Sequence, residues 1–190
     1  MNNNLAVQYG ELTVAAMGIA QKILSLGNYI YQGFAAGTQP IMGYNYGAGN
    51  YRRMLDVLKA GVMVVSGTEL CVMAVYGIFA PRLIGIFTGS PEVVATGSYV
   101  LRNLMFILPF VGATSMSRMS FQAMGKPQYA FGITLMRQLF LYVPLLILLN
   151  RLFGFGGMIK AQPITELIMM AVSVSLLVRV ITGRENRGEG

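Results

Sequence analysis

Five long apolar runs constrain this chain more than any other feature. They extend from about Leu12 to Tyr46, from Met54 to Ala80, from just after Pro91-Glu92 to Ala123, from Tyr129 to Leu149 and from Gly156 to Ile181. A helix crosses the hydrocarbon core of a bilayer with about 20 mostly apolar residues, and each run meets or exceeds that length. Proline recurs within or beside them: Pro40 bends the first, Pro81 follows the second, and Pro144 and Pro163 lie inside the last two. In water such prolines argue against helix. In lipid they are tolerated, because neighbouring helices and local adjustments re-satisfy the freed backbone groups. The sequence therefore predicts an all-α polytopic membrane bundle of about five spans.

Composition supports lipid as the solvent. Only 11% of the residues are charged, against 55% hydrophobic, and a soluble domain carries about twice that charged share. The net charge of +7 does not make a nucleic-acid face, since the basic residues sit mostly between apolar runs rather than along one stripe. Cys71 is the single cysteine and lies in an apolar run, so neither a disulfide framework nor a thiolate metal site is available. Histidine is absent. That removes the commonest general base and transition-metal ligand, and with them the easiest chemistry of an enzyme. No cofactor is called for.

Glycine and proline mark the breaks: Gly47-Ala48-Gly49-Asn50, Thr88-Gly89-Ser90-Pro91, Gly125-Lys126-Pro127 and Gly154-Phe155-Gly156-Gly157. Such short connections imply one membrane domain over residues 1–183, followed by a polar tail at 184–190. Five spans place the ends near residues 50, 125 and 183 on one side. That side carries Arg52, Arg53, Lys59, Lys126, Arg179, Arg184 and Arg187, with Arg118 a turn or two away; the other carries Lys22, Arg82, Arg151 and Lys160. The positive-inside tendency makes the richer side, and the C-terminus, cytoplasmic. The segment Met1 to Gly10 then lies outside, although it has no signal-peptide pattern. That placement fits a chain whose first helix follows another, with Met1 an internal or secondary start.

Within the spans, two acids stand in apolar surroundings: Glu69 near the middle of the second, and Glu166 about ten residues into the fifth. An ionised carboxylate there is costly unless it is protonated, paired or facing water. A carboxyl able to take up and release a proton is what a proton-coupled transporter needs, and Glu166 follows Pro163, where a kink would free backbone carbonyls. The bland alternative is an internal ion pair with Arg102, Arg118 or Arg137. Those three arginines read first as structural pairing groups, or else as partners of an anionic substrate or lipid headgroup. Gly33, Gly37, Gly43 and Gly47 recur every four or six residues, a spacing that suits close helix packing. Fourteen methionines and ten tyrosines suit either core packing or an adaptable surface for varied apolar ligands.

The string Gln39-Pro40-Ile41-Met42-Gly43-Tyr44-Asn45-Tyr46-Gly47-Ala48 resembles the end of the eighth helix of multidrug and toxic compound extrusion (MATE) transporters. Tyr99-Val100-Leu101-Arg102, Phe121 to Pro127, Arg137-Gln138, and Gly154 to Gly157 leading to Pro163-Ile164-Thr165-Glu166 are similar to that family in the same order. The resemblance covers about Tyr9 to Ile181 and implies helices eight to twelve of a twelve-helix protein, nearest the bacterial branch that exports cationic drugs and dyes. It implies a transporter of the cytoplasmic (inner) membrane, not an enzyme. Such a protein exchanges protons or sodium ions for organic cations between two lobes. Its partners would be membrane lipid, the substrate and an N-terminal lobe. Departures are Arg118 on helix ten, Met158-Ile159-Lys160 where tryptophan is frequent, and the absence of helix seven with its acid. A truncated non-transporting fragment, a half-transporter subunit and a flippase of lipid or polysaccharide precursors are the alternatives.

Overall fold

The computed structural model describes residues 10–185. The expected N-terminal segment before Gly10, and the tail from residue 186 onward, lie outside the described residues. Among those described, the chain is helix joined by short turns, with no strand. Helix α1 (Glu11–Gly47) runs unbroken through Pro40. Helix α2 (Tyr51–Gly85) continues through Pro81, five residues beyond the expected end at Ala80, because a proline in the last turn removes only one ladder bond. Helix α3 (Pro91–Leu104) passes through a 3-10 turn at Met105–Ile107 into α4 (Leu108–Ala123). The tight turn falls just ahead of Pro109, which cannot donate to the Met105 carbonyl. Helix α5 (Pro127–Leu135) leads into π-helical turns at Met136–Tyr142 and then α6 (Val143–Glu185). The widened turns precede Pro144, which likewise leaves the Phe140 carbonyl without its usual donor.

Two glycines close the turns on one end of the bundle. Gly49 (φ 74°) and Gly125 (φ 67°) occupy the left-handed region. In each case the following residue bonds back five positions: Asn50 N–H to the Asn45 carbonyl at 2.8 Å, and Lys126 N–H to the Phe121 carbonyl at 2.9 Å. This is the Schellman arrangement, which satisfies the last carbonyls of a helix and stops it. A Cβ on Gly43 would lie 3.3 Å from the Ala123 carbonyl, so the ends of α1 and α4, and hence these two basic turns, are neighbours.

The apolar run after Pro127 continues as 55 residues, Pro127–Ile181, yet it does not run straight. Gly154 has φ 59° and ψ −142°, and it divides α6 into two legs. The expected kink at Pro163 is absent from the backbone angles; the break lies at Gly154, where only glycine is comfortable. Gly157 is equally constrained, since a Cβ there would run into the Leu149 carbonyl of the first leg. With this reversal counted, the five expected runs all appear as helical legs. Among the described residues, three helices are long and apolar enough to cross a membrane by length and composition: Tyr51–Gly85, Pro91–Ala123 and the doubled Pro127–Ile181. Helix α1 has the length but is more polar.

That polarity is one-sided. Helix α1 packs on α2, α3 and α4, while α6 packs on α4 and back onto the π-helical turns. Met17, Met42, Met54, Met116, Phe121 and Leu108 fill the common interior. Tyr29, Ile78, Phe140 and Phe153 face outward, as lipid-facing side chains of a bundle do. Polar groups inside are largely bonded to their own helix: Ser120 Oγ donates to the Met116 carbonyl at 2.8 Å and Thr165 Oγ1 to Ala161 at 2.8 Å. One hydroxyl does more. Tyr76 Oη donates to the Ile23 carbonyl at 2.6 Å and accepts from Gly27 N–H at 3.0 Å, inserting itself between two groups of α1 that a regular helix would join to each other.

Candidate functional site: a polar cleft between the first and last helices

Gln21, Ser25, Asn28 and Gln32 follow one another at steps of four, three and four residues and so lie on one face of α1. The second leg of α6 lies opposite without extended packing on α1. Two adjoining cavities of about 250 and 310 Å3 occupy the gap. Both are lined by Asn28, Arg137, Gln162 and Glu166. The smaller adds Gln21, Ser25 and Gln138, and the larger adds Tyr31, Gln32 and Arg118.

Glu166 is at the centre. Its Oε1 accepts from Arg137 Nη1 at 2.8 Å, and its side chain is 4% exposed against 30% for the arginine. Arg137 projects from the π-helical turns. Glu166 Oε2 is buried without a hydrogen-bond partner, and so is Asn28 Oδ1. Two residues lining one cleft thus each carry a buried, unpartnered acceptor oxygen, one of them on a carboxyl group. They suit a proton, a small monovalent cation or the N–H of a ligand.

The other residues singled out from the sequence disperse. Of the three arginines offered as partners for an intramembrane acid, the fold selects Arg137. Arg118 lines the larger cavity. Arg102 is exposed on α3 and donates through Nε to the Gly77 carbonyl at 3.2 Å, away from the cleft. Glu69 is 1% exposed within α2 with both carboxyl oxygens unpartnered, and it lines neither cavity. Of the four glycines expected to pack, Gly43 meets a backbone. A Cβ at Gly33, Gly37 or Gly47 meets nothing within 4 Å in this chain, because α1 turns that face outward. Close approach occurs instead at Gly27 and Gly112, where a Cβ would lie 2.9 and 2.7 Å from Val72 and Val65. The buried methionines belong to the interior and none lines the cleft. Asn28 was not anticipated, although the polar stripe of α1 carries it.

Membrane-length helices around a polar cleft are the layout of a multi-pass membrane protein. The chain belongs to the MatE family, whose model matches residues 3–148. Among curated relatives, the multidrug export protein MepA of Staphylococcus aureus (strain MSSA476) is 29% identical over 185 residues, covering 96% of this chain. MepA of Staphylococcus haemolyticus is 26% identical over 168 residues. The chain spans about 40% of the length of the Staphylococcus aureus relative. An inward-facing structure of a multidrug resistance MATE family transporter superposes with a TM-score of 0.92 at 23% identity, covering 98% of this chain and 44% of that one. An outward-facing structure gives 0.90 at 22% identity, covering 97% and 42%. The lobe fold is thus common to both conformations.

Proposed function

We propose that this chain acts as the C-terminal lobe of a cation-coupled efflux antiporter that exports organic cations, with Glu166 as the coupling residue. The observation that carries this reading is the division of labour on Glu166, a residue that lines the cleft: one oxygen is held by Arg137, the other is buried without a partner. The held oxygen fixes the side chain in place. The second accepts a proton or, with Asn28 Oδ1, a sodium ion. Occupancy by the coupling cation and occupancy by a cationic substrate exclude each other there, because both need the same negative charge. Mutually exclusive binding linked to rocking of two lobes yields antiport. The second lobe implied by the resemblance supplies the opposite wall.

The lobe sits in the bacterial cytoplasmic membrane with its basic turns, at Arg52, Arg53 and Lys126, facing the cytoplasm, as the positive-inside tendency supports. The experiment is ethidium efflux from cells that lack their own pumps and express the full-length protein. Glu166→Gln, at unchanged membrane abundance, is expected to abolish energised efflux, while Glu166→Asp retains part of it. Full efflux by Glu166→Gln removes Glu166 from coupling.

A further inference from the structure

Arg118 is a charge in the cleft that cation exchange does not employ. It projects from α4, half-buried, into the cavity of about 310 Å3 that Arg137 and Glu166 also line. Among the described residues it makes no ion pair; the carboxylate of that cavity is taken at 2.8 Å by Arg137. Two guanidinium groups therefore share a space with one carboxylate, and the cleft carries an excess positive charge. A cation held at membrane depth without a counter-charge is costly. A guanidinium presents a planar fork of donors that matches carboxylate and phosphate oxygens two at a time. Ile107, Val111 and Ile133 line the same cavity, so an apolar stem beside the anionic head finds a dry wall.

We propose that this cavity is an anion site. Arg118 and the free edge of Arg137 receive the carboxylate or phosphate of an amphiphilic anion, whose stem lies along Ile107, Val111 and Ile133. The site shares Arg137 and its cavity with the Glu166 ion pair, and adds Arg118, which that pair does not engage. Two sources carry this chemistry: a free organic acid and the headgroup of an anionic lipid.

Phenylglyoxal modification of individual arginines, read by peptide mass spectrometry, tests it on the full chain in phosphatidylcholine nanodiscs. Octanoate at millimolar concentration is expected to slow modification of Arg118 about fivefold, which corresponds to four-fifths occupancy, and to leave Arg102 unaffected. In Arg118→Gln the protection read at Arg137 is lost. In Arg118→Lys it is retained, which separates loss of the site from misfolding. Protection without octanoate in nanodiscs containing phosphatidylglycerol assigns the lipid headgroup as a source; protection by octanoate alone assigns the free acid. An unchanged Arg118 rate under both conditions overturns the proposal. So does equal protection by the uncharged analogue octanamide, which would show occlusion rather than charge recognition.

Discussion

Arg137 and Glu166 are 29 residues apart in sequence and 2.8 Å apart in space. On one straight helix they would stand about 44 Å apart at the α-helical rise. The reversal at Gly154 turns one apolar run into two facing legs, and the ion pair joins the widened turns of the first to the second. Glycine backbone freedom, a proline-induced π segment and a buried acid thereby converge on a single contact.

Removing the arginine leaves Glu166 buried without its cation. Arg137→Gln should lower stability by about 3 kcal/mol, the low end for breaking a buried pair, because the arginine is part-exposed. Adding Glu166→Gln should recover most of that loss. A double-mutant cycle by thermal unfolding in nanodiscs checks it; strictly additive effects would show that the pair is not coupled.

Among the described residues Glu69 has no hydrogen-bond partner and lines neither cavity of the cleft, so its two buried oxygens are a burden on the fold. Glu69→Met keeps the side chain's length and removes both oxygens. It should stabilise the protein by about 1–3 kcal/mol, the penalty for an unsatisfied buried polar group. A fall in unfolding temperature would mean that Glu69 has a partner in the folded protein.

Tyr76 and Gly27 form a lock between α1 and α2. Tyr76→Phe should cost about 1 kcal/mol through the lost hydrogen bonds. Gly27→Ala should cost more, because its Cβ would lie 2.9 Å from Val72 Cγ1 and 3.0 Å from Tyr76 Oη. The double variant should cost less than the sum of the two, since phenylalanine withdraws the obstructing oxygen. Unfolding curves of the three variants decide it.

Cys71 is exposed on α2, 14 residues from Gly85 and 20 from Tyr51, or about 21 and 30 Å from the two ends. In a bilayer that places it in the hydrocarbon. A charged maleimide should leave it unlabelled in intact membranes from either side and label it once the protein is dissolved in dodecyl sulfate. Rapid labelling in intact membranes would contradict α2 as a lipid-facing span.

Much of this architecture was legible because lipid leaves the chain few options: apolar length sets the spans, and glycine and proline set the turns at Gly49, Gly125 and Gly154. The pairing inside the cleft was less so. Three arginines stood as equal partners for an acid, and only the position of the Gly154 reversal, which the local sequence does not specify to within a turn, selects Arg137. Asn28 lay hidden for a different reason. Its signal is the helical recurrence of Gln21, Ser25, Asn28 and Gln32, which shows only when polar residues rather than apolar ones are counted along α1. The glycine repeat misled in part, since spacing shows that Gly33, Gly37 and Gly43 share a region of α1 but not what, if anything, packs there.

Coupled exchange in proteoliposomes of the full-length protein tests the central claim most directly. An imposed gradient of protons or of sodium ions should drive a preloaded organic cation out of the lumen, and Glu166→Gln should end that exchange while leaving the protein folded. Exchange of undiminished rate in Glu166→Gln would contradict the account.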